Sequence, residues 1–582
     1  MLNEFIREIE ELYKIINENI DARLKKLAIE KYQKKLHITN EKFSDIYYKF
    51  IKSIKEKGVV YTPLPIAHYI IKNTIKAEDI IKNPFLKILD PASGAGNLII
   101  PCYIYLKELY IHNLNEINYK NNLNLNCETI NEHIIKNNLY GLDIDSNALK
   151  VLCVDLFQLS GYICVDNFVN SDFLIDENSN KFDVVISNPP YVGQKAINRD
   201  YSLSLKKLYK DIYKDKGDIS YCFFQKALTA VNYAGKLSFI TSRYFLEAPS
   251  GEQLRKILKY YCSIEKIVDF YGVRPFKNIG VDPVIIFLKK EQIENTNIEI
   301  IKPQNIKGSN KKLFYNHLFL NEGKTYNKFY INKDKLSNHG WILRDEKERN
   351  IINKIEEHSF TSLANICNSY QGIITGCDAA FILGEEEIIK NNIEGDLIRP
   401  WIKSSHISKN EVRQSQKYII YSDLIKDEGK YINAIQYIKK YKERLMERRE
   451  CKKGIRKWYG LQWGRDSDIF EGTKIIYPYK AESNRFAIDT GSYFSADVYA
   501  IKLKDNVPFS YEYLIFLLNS RIYEFYFKTF AKKLGEKAYE YYPNNLMKLC
   551  IPTMDENFTE DYLYNKFELT NEEIEIIKNQ ID

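Results

Sequence analysis

The sequence contains few residues of the kinds that bind metal ions or form cross-links. Its ten cysteines are scattered, and the closest two, Cys367 and Cys377, are ten residues apart, so no CxxC pair is present. The eight histidines form no HExxH segment, which removes a common helical zinc motif. We therefore expect no metal site, and we expect the cysteines to be reduced thiols of a cytosolic protein.

Long apolar runs are also missing. No segment has the length and apolar character needed to cross a bilayer, and no signal peptide is evident. The first segment, MLNEFIREIEELYKIINENI, instead alternates charged and apolar residues at helical spacing. It predicts an amphipathic helix in a cytoplasmic protein that has no membrane partner.

Positive charge is in only small excess, but it is concentrated. The chain has 84 Lys and Arg against 77 Asp and Glu, a net charge of +7, and the segment 439–457 alone has ten basic residues against three acids. Such density suits contacts with nucleic-acid phosphates, because each basic group at the backbone releases a condensed counterion. The alternative is a solvated helix face with Glu-to-Arg pairs. Gly454, Trp458 and Tyr459 interrupt that face, which favours DNA contact.

Size and composition indicate more than one globular domain. At 582 residues the chain exceeds one ordinary core, and its 45% hydrophobic and 28% charged residues are typical of folded proteins. The 45 tyrosines accompany many Lys, Asn and Ile residues. This bias is what an AT-rich genome would produce, so we do not interpret the tyrosines as base-stacking residues as a class.

The most informative segment is Asn188-Pro189-Pro190-Tyr191, which follows the apolar run FDVVIS. The amino group of a base is a poor nucleophile, because its lone pair is delocalised into the ring. The Asn188 side-chain oxygen and the Pro189 carbonyl can accept hydrogen bonds from such a group, the prolines fix φ, and Tyr191 can stack on the base. The pattern favours methylation of an exocyclic amine; the alternative is a turn after a buried strand.

A small-residue loop lies upstream, in LKILDPASGAGNLII at 86–100. The pattern predicts a strand that ends at Asp90, a loop that includes Ala92, and the start of a helix. Gly94 and Gly96 would let a ligand approach the backbone. The loop departs from GxGxxG, and a tight strand-to-helix turn is the alternative.

Two further acids follow strand-like segments. Asp143 ends NNLYGLD, where a carboxylate can accept hydrogen bonds from both ribose hydroxyls. Asp145 is the nearby competitor and suits a helix N-cap better. In FVNSDFLI, Asp172 can accept from an adenine amino group and Phe173 can cover the ring, although an acid in that position is often only a turn residue.

In this order the segments resemble the gamma class of N6-adenine DNA methyltransferases, which use S-adenosylmethionine. GVVYTPLPIAHYII at 58–71 is similar to the first cofactor segment of that family, and DPASGAG to its methionine-binding loop, with Ser93 and Ala95 where the family usually has Cys and a small polar residue. Phe276 falls where the family has the second aromatic of the base sandwich. The resemblance implies catalytic roles for Asn188, Pro189, Pro190, Tyr191 and Phe276. It implies cofactor contacts for Tyr61, Thr62, Asp90, Ala92, Gly94, Gly96, Asp143, Asp172, Phe173 and Asn188.

Within this family the chain is most similar to the solitary adenine methyltransferases of spore-forming clostridia. The similarity extends into the C-terminal segments QGIITGCDAAFIL, RRECKKGIRKWY and FSADVY. It implies a short, asymmetric, adenine-rich target site, gene regulation instead of restriction, and no endonuclease activity. The residues that we expect to bind DNA are Arg449, Lys453, Arg456, Trp458, Tyr459, Lys480 and Arg485, together with the turn 372–376.

The expected fold is α/β. It consists of a Rossmann-like methyltransferase domain over 58–295, a C-terminal α+β target recognition and DNA-binding region over 296–582, and a short N-terminal helical arm over 1–57. The sheet should be mostly parallel, with the site at the carboxyl ends of its strands. The arm is too short to be an endonuclease domain. We expect a nucleoid-associated monomer that binds double-stranded DNA.

Other functions remain open from the residues alone. A protein-glutamine methyltransferase or an N4-cytosine methyltransferase could use the same four residues, and an idle DNA-binding subunit could keep the fold without activity. An NAD enzyme is disfavoured, because Gly96 and Asp143 are 47 positions apart, whereas a dinucleotide-binding fold places its ribose acid about 20 residues on.

Overall fold

The computed structural model describes residues 2–38, 41–54, 61–177, 180–193, 197–214, 217–275, 281–294, 296–304, 311–320, 326–534, 537–555 and 558–581. The chain forms two compact units, Met1–Leu343 and Arg344–Asp582. Within the described ranges, each helix is too short or too polar to cross a bilayer. All ten cysteines are free thiols.

The first unit contains one mixed sheet with helices around it. Its described strands are β1 (Ile88–Asp90), β2 (Leu139–Asp143), β3 (Phe168–Asn170), β4 (Phe182–Ser187), β5 (Val231–Ser242), β6 (Ser263–Asp269), β7 (Pro283–Lys289), β8 (Asn297–Pro303) and β9 (Tyr326–Asn332). Its described helices are α1 (Leu2–Asn17), α2 (Ala22–Lys35), α3 (Phe43–Ile54), α4 (Leu64–Thr74), α5 (Ala77–Lys82), α6 (Ile99–Asn121), α7 (Thr129–His133), α8 (Ser146–Ser160), α9 (Arg199–Leu208), α10 (Ile219–Ala230), α11 (Tyr244–Glu247), α12 (Glu252–Tyr261) and α13 (Lys311–Phe319).

The strand order in this sheet is β3-β2-β1-β4-β5-β7-β6-β8-β9. The strands β1 to β5 run parallel to their neighbours within this group. β7 lies between β5 and β6 and is antiparallel to both, and β9 is antiparallel to β8. The predicted parallel sheet is therefore found in the half that contains the motifs, and the other half is mixed.

Helices cover both faces of the sheet because its strand side chains alternate between two hydrophobic clusters. Ile88, Val184 and Ile186 pack with residues of α4 and α6 on one face. Leu89 and Val185 pack with residues of α10 and α12 on the other. Since both faces are buried, these strands appear in the sequence as continuous apolar runs.

The N-terminal arm belongs to the same unit as the sheet. Its first helix buries Phe5, Ile9, Leu12 and Ile16, spaced as the amphipathic pattern predicts. These side chains share a hydrophobic cluster with residues of α3 and α8. The arm is thus packed against α8 through a common core.

The predicted boundary at 295/296 differs from the division that the structure shows, which is at Leu343. β8 pairs with β6 and β9 pairs with β8, so both extend the sheet of the first unit. Trp341 and Leu343 are buried in the cluster on one face of that sheet. The first unit therefore continues well past the end of the predicted methyltransferase domain.

The second unit is built from several small sheets and short helices. Its described strands are β10 (Thr361–Ser362), β11 (Cys367–Gln371), β12 (Ile382–Gly384), β13 (Ile398–Ile402), β14 (Ile407–Ser408), β15 (Glu411–Val412), β16 (Lys417–Ile420), β17 (Lys474–Pro478), β18 (Lys480–Ala481), β19 (Ala487–Asp489), β20 (Tyr493–Phe494), β21 (Val498–Leu503), β22 (Lys532–Leu534), β23 (Ala538–Glu540) and β24 (Cys550–Ile551). Its described helices are α14 (Glu346–Glu357), α15 (Leu363–Ile366), α16 (Asp378–Phe381), α17 (Glu385–Lys390), α18 (Ile432–Lys439), α19 (Lys442–Met446), α20 (Arg449–Lys452), α21 (Tyr511–Asn519), α22 (Arg521–Phe530), α23 (Pro543–Leu546), α24 (Glu560–Lys566) and α25 (Asn571–Ile581).

Two four-stranded sheets form the centre of this unit, in the orders β11-β21-β17-β19 and β12-β16-β13-β20. A three-stranded sheet, β18-β23-β22, and the pairs β10-β24 and β14-β15 complete it. Most of these strands pair antiparallel with partners that are distant in sequence. The unit is mixed α/β, in agreement with the expected α+β character.

Candidate active site

A cavity of about 590 Å³ opens where β1, β2 and β4 end, together with the segment after β3. This volume is in the usual range for small-molecule sites, about 300–1,000 Å³. The cavity is therefore at the carboxyl ends of the parallel strands, as the sequence predicts. The predicted site residues that line it are Thr62, Asp90, Ala92, Gly94, Asp143, Asp172, Phe173, Asn188 and Pro190.

Asp90 ends β1 and is almost completely buried, at 2% exposure. Its Oδ1 atom accepts hydrogen bonds from the Ala92 amide at 3.1 Å and from the Ser187 hydroxyl at 2.9 Å. Burial disfavours the charged form and raises the pKa of Asp90 to about 7, while these hydrogen bonds act in the opposite direction. The cavity thus contains a carboxyl group that changes its charge near neutral pH.

The two glycines of the loop after β1 have different roles. Both have positive φ, +50° at Gly94 and +95° at Gly96, which favours glycine. Gly94 lines the cavity. Gly96 packs closely against α8 instead. A Cβ at this position would be only 2.4 Å from the Leu152 side chain of that helix.

Asp143 ends β2 and faces the same loop. Its carboxylate accepts from the Gly94 amide at 2.7 Å and from the Asp145 amide at 2.8 Å. Burial raises its pKa, which these backbone hydrogen bonds partly oppose. Asp145 is the N-cap of α8, as predicted, accepting from the amides of Asn147 and Ala148.

Asp172 and Phe173 follow β3. Asp172 accepts from the Leu174 amide at 2.9 Å and from the Tyr201 hydroxyl at 2.7 Å. Phe173 is buried, and its ring centroid is 5.8 Å from that of Phe223. Both residues present a surface to the cavity, so an acid and an aromatic ring are adjacent there.

Asn188 is held by a residue of the segment just before α4. Its Nδ2 atom donates a hydrogen bond to the Thr62 hydroxyl at 2.9 Å. Thr62 is only 2% exposed, so this partner is fixed in the core. Pro190 also lines the cavity, and Pro189 between them is buried.

Two further predicted residues that the structure describes, Tyr191 and Tyr61, do not line the cavity, and neither do Gly96 and Pro189. The Tyr191 hydroxyl donates to the Ile240 carbonyl at 3.3 Å, and its ring packs against the hydrophobic core. Tyr61 is 43% exposed and its ring meets that of Tyr48 edge-on, with centroids 5.2 Å apart. Phe276 lies outside the described residues.

Three tyrosines that the sequence analysis did not select do line the cavity: Tyr47, Tyr48 and Tyr201. Tyr47 donates a hydrogen bond to the Asp145 carboxylate, and the Tyr48 hydroxyl accepts from the Ala95 amide at 2.9 Å. Helical periodicity could have placed Tyr47 on the buried face of α3. Nothing local in the sequence indicates the polar contacts of either residue.

The basic segment of the second unit divides into paired and exposed residues. Arg456 pairs with Asp423 and Lys457 with Glu428, each at 3.0 Å. Arg449 and Lys453 are exposed, and no carboxylate within the described part of the chain pairs with either. Of the predicted DNA-binding residues in this segment, Arg449 and Lys453 thus keep a positive charge that is not paired within the described ranges.

The aromatic residues of this segment are packed to different degrees. Tyr459 is 3% exposed, and its hydroxyl donates to Glu428 at 2.8 Å. This burial gives Tyr459 a packing role in the structure and leaves its ring unavailable to a base. Trp458 is half-buried, with the Lys442 ammonium 5.2 Å from its ring centroid.

Arg448 is not a free cation of the basic segment. Its guanidinium donates to the carbonyls of Leu445, Thr375, Trp458 and Gly460, at 2.8 to 3.1 Å. A Cβ at Gly376, which has a φ of +76°, would be 2.7 Å from the Arg448 side chain. The arginine thus joins the predicted turn 372–376 to the basic segment.

The remaining candidates for DNA contact lie on short strands or loops of the second unit. Lys480 is exposed, with its ammonium 5.1 Å from the Tyr479 ring centroid. Arg485 is half-buried and donates to the Ile407 carbonyl at 3.4 Å.

Across the described ranges, no group of three or more His, Cys, Asp or Glu side chains is arranged to hold a metal ion.

Comparison with protein families matches one segment in each unit. Residues 137–276 match the Eco57I restriction-modification methylase family, and residues 399–551 match the TaqI-like C-terminal specificity domain. The first match includes the end of β2, the segment after β3 and the Asn188 loop. The second includes the basic segment and most of the small sheets.

Similar whole proteins are type II methyltransferases. The type II methyltransferase M.BstVI of Geobacillus stearothermophilus is 23% identical over 450 residues, which are 71% of this chain and 79% of that protein. M.BanIII of Aneurinibacillus aneurinilyticus is 24% identical over 581 residues, covering 91% of this chain and 96% of its own length.

The fold of the chain resembles that of a solved restriction-modification enzyme. The type IIL enzyme MmeI, solved in complex with DNA, superposes with a TM-score of 0.57 at 14% identity, covering 89% of this chain and 72% of that chain. The chain is therefore similar to type II methyltransferases, with one segment in its first unit that matches the Eco57I restriction-modification methylase family and one in its second that matches the TaqI-like C-terminal specificity domain.

Proposed function

We propose that the protein is an S-adenosylmethionine-dependent DNA methyltransferase that methylates N6 of an adenine turned out of the duplex. The observation that carries this proposal is the convergence of Asp143, Asp172, Phe173 and Asn188 on one cavity beside the Gly94 loop. Each of these residues has the chemistry that one part of the reaction needs.

The residues of the cavity suit the cofactor. The Asp143 carboxylate can accept hydrogen bonds from ribose hydroxyls, and Asp172 with Phe173 can hold an adenine amino group and cover its ring. Asp90 offers a buried carboxyl near the methionine loop, where a carboxylate stabilises an ammonium group. When bound, the cofactor supplies a methyl group on a positively charged sulfur.

Asn188 and Pro189 act on the target amine. The side-chain oxygen of Asn188 and the carbonyl of Pro189 accept hydrogen bonds from the amino group, which favours a pyramidal nitrogen with its lone pair available. Because Nδ2 of Asn188 is directed to Thr62, the side-chain oxygen is on the opposite side of the amide. The acceptor is thus oriented before the base arrives, and the protein need not reorganise during the reaction.

Tyr191 and Phe276 are proposed to stack on the displaced base. An extruded base loses its stacking partners in the duplex, and aromatic side chains replace them. Tyr191 follows Pro190, which lines the cavity, and it is partly exposed. A Tyr191→Phe variant keeps the ring and should retain most activity, whereas Tyr191→Ala should lose it.

Arg449 and Lys453 are proposed to bind DNA phosphates, with Lys480, Arg485 and the turn 372–376 as further contacts of the second unit. The exposed basic residues supply the sequence-independent part of the affinity. Base recognition would come from bidentate contacts in the major groove or from the deformability of an adenine-rich site. As in the clostridial enzymes that the chain resembles, we propose a solitary methyltransferase with a short asymmetric site and a role in gene regulation.

The test uses the purified full chain, duplex DNA and a cofactor with a tritiated methyl group. The wild type should transfer label to DNA, and digestion to nucleosides followed by mass spectrometry should identify N6-methyladenine. N4-methylcytosine instead would replace the proposed base, and specific DNA retention without transfer would identify an idle subunit. Label on a protein substrate but not on DNA would identify a protein-glutamine methyltransferase.

Asn188→Ala is the matched variant for this test. It should abolish transfer while the protein still binds S-adenosylhomocysteine and melts as the wild type does. Turnover at the wild-type rate by this variant would remove Asn188 from the mechanism.

A further inference from the structure

Helix α3 contributes two tyrosines to the cavity, although it precedes the cofactor segments in the sequence. Tyr47 and Tyr48 are adjacent in the chain and both line the cavity. Tyr48 lies directly on the loop after β1, since its hydroxyl accepts from the Ala95 amide at 2.9 Å. Ala95 is fully buried in the same hydrophobic cluster as α1, α3 and α8. The arm and the loop therefore share one core.

Helix α3 is held in this position from two sides. The buried carboxylate of Asp155, on α8, accepts from the first amides of α3, Phe43 at 3.1 Å and Ser44 at 3.0 Å. Such bonds satisfy amides that a helix N-terminus leaves without an internal partner. At the cavity, Tyr47 donates to the Asp145 carboxylate. The Asp145 amide in turn donates to Asp143, so α3 is connected to the carboxylate that we assign to the ribose.

The Tyr48 hydroxyl can still donate one hydrogen bond. A tyrosine hydroxyl can accept and also donate one hydrogen bond. Ala95 uses the acceptor function, and no acceptor for the hydroxyl hydrogen is found within the described part of the chain. Since the residue lines the cavity, a ligand oxygen there could accept this hydrogen.

We propose that α3 forms a wall of the cofactor site and that Tyr48 is a cofactor-positioning residue. Its hydroxyl holds the Gly94–Ala95 loop in its binding shape and donates to an oxygen of the bound cofactor. This inference rests on the proposed function, because it takes S-adenosylmethionine as the ligand of the cavity. It assigns the arm a role in binding in addition to its packing.

The first experiment separates positioning from packing by removing only the hydroxyl. Tyr48→Phe keeps the ring against Tyr61 and the core but leaves the buried Ala95 amide without its acceptor, so the melting temperature without ligand should fall by only a few degrees. The affinity for S-adenosylhomocysteine, measured by titration calorimetry on the full chain, should fall roughly three- to tenfold with the lost hydrogen bonds. The apparent KM for S-adenosylmethionine should rise by a similar factor, with kcat less affected.

Tyr13→Phe is the matched control. Tyr13 lies on α1 of the same arm and packs against the same cluster as Tyr48, but it does not line the cavity. Its substitution should leave the affinity for S-adenosylhomocysteine unchanged. Equal affinities for Tyr48→Phe and the wild type would overturn the inference and leave the proposed function intact. A wild-type protein that does not bind S-adenosylhomocysteine would overturn both.

The second experiment measures the contact between the helix and the loop by a double-mutant cycle. A Cβ on Gly94 would lie 2.8 Å from the Tyr48 hydroxyl oxygen, so Gly94→Ala should weaken ligand binding strongly in the wild-type background. The same substitution should weaken binding several-fold less in Tyr48→Phe, where that oxygen is gone. The strain of the positive φ is common to both backgrounds and cancels. If the factors by which the two single substitutions lower ligand affinity simply multiply in the double variant, Tyr48 does not restrain the loop and the inference is overturned.

Discussion

The Asn188 side chain donates through Nδ2 to the hydroxyl of Thr62 at 2.9 Å, and this hydrogen bond joins the end of β4 to the segment before α4. The two residues are 126 positions apart in the chain. Both belong to segments that resemble family motifs, one for the cofactor and one for catalysis. The bond fixes which side of the amide is an acceptor, so the segment that we propose for the cofactor also orients the side chain that we propose for catalysis.

Thr62→Val should therefore slow methyl transfer without a large change in cofactor affinity. Valine has a similar shape but no hydroxyl, so Asn188 loses the partner that orients its amide. A hydrogen bond of this kind contributes about 1 kcal/mol, and the single-turnover rate should fall roughly three- to tenfold. Thr62→Ser keeps the hydroxyl and should restore most of the rate. A wild-type rate for the valine variant would show that other contacts suffice to orient Asn188.

The raised pKa of Asp90 predicts that cofactor affinity depends on pH. Burial raises this pKa to about 7, so below that pH the carboxyl is protonated in the free protein. A ligand with a positively charged ammonium favours the ionised form, and its binding must then release a proton. Affinity for S-adenosylhomocysteine should rise with pH by up to about tenfold per unit as far as about pH 7, and level off above it.

Asp90→Asn is the control for this pH dependence, since an amide does not titrate. Its affinity should be flat over the same range. The pH dependence of folding stability has the opposite sign to that of ligand affinity. The folded protein holds the Asp90 proton more tightly than the unfolded chain does. The stability that this proton gives is present below the unfolded pKa and lost as pH rises through about 7. The melting temperature of Asp90→Asn minus that of the wild type should therefore be larger at alkaline pH than at acid pH.

The part of the site on strand ends could be predicted from the sequence. Asp143 and Asn188 each follow a β-branched or apolar run, and parallel strands bring their carboxyl ends to one edge of a sheet. Tyr48 could not be predicted in the same way. Its contact with Ala95 depends on how α3 packs on α8, and a helical pattern does not say which element the helix will meet.

The end of the first unit at Leu343 could not be predicted from the sequence for a related reason. After residue 296 the sequence changes to short strands and turns, which resembles the start of a new region. However, β8 and β9 add to the edge of the sheet of the first unit. Strand pairing between distant segments depends on the partner strand as well as on the local pattern, and a single sequence does not reveal that partner.

Loss of Arg449 and Lys453 should weaken DNA binding in a salt-dependent way. Both are exposed and have no carboxylate partner within the described ranges, so each can neutralise a phosphate. Removing both by Arg449→Ala and Lys453→Ala should lower the slope of log affinity against log salt by about 2, since each contact contributes about 0.9. Affinity should fall for specific and non-specific duplexes alike.

Lys457→Ala is the matched control within the same segment, because Lys457 is paired with Glu428 at 3.0 Å. We expect this variant to change the salt slope by much less than one unit. Fluorescence anisotropy at several salt concentrations measures both effects. If the double variant kept the wild-type slope, the phosphate contacts would have to come from other residues of the second unit.

The number of basic residues in this segment does not indicate that Arg448 differs from Arg449. The structure separates them, because Arg448 donates to four backbone carbonyls between positions 375 and 460. Its contribution is to hold the turn 372–376 against the basic segment. Five fixed donors in a planar group can make such a set of bonds, and a lysine ammonium cannot reproduce them.

Arg448→Lys should therefore destabilise the second unit although it conserves the charge. Several half-buried carbonyls would lose their donor, and the loss should be roughly 1–3 kcal/mol in the unfolding free energy. The salt slope of DNA binding should stay near the wild-type value, whereas discrimination between the target site and other duplexes should decrease as the turn loosens. Denaturant unfolding and competition binding measure the two quantities separately. A lysine variant with wild-type stability and a reduced salt slope would instead identify Arg448 as a phosphate contact.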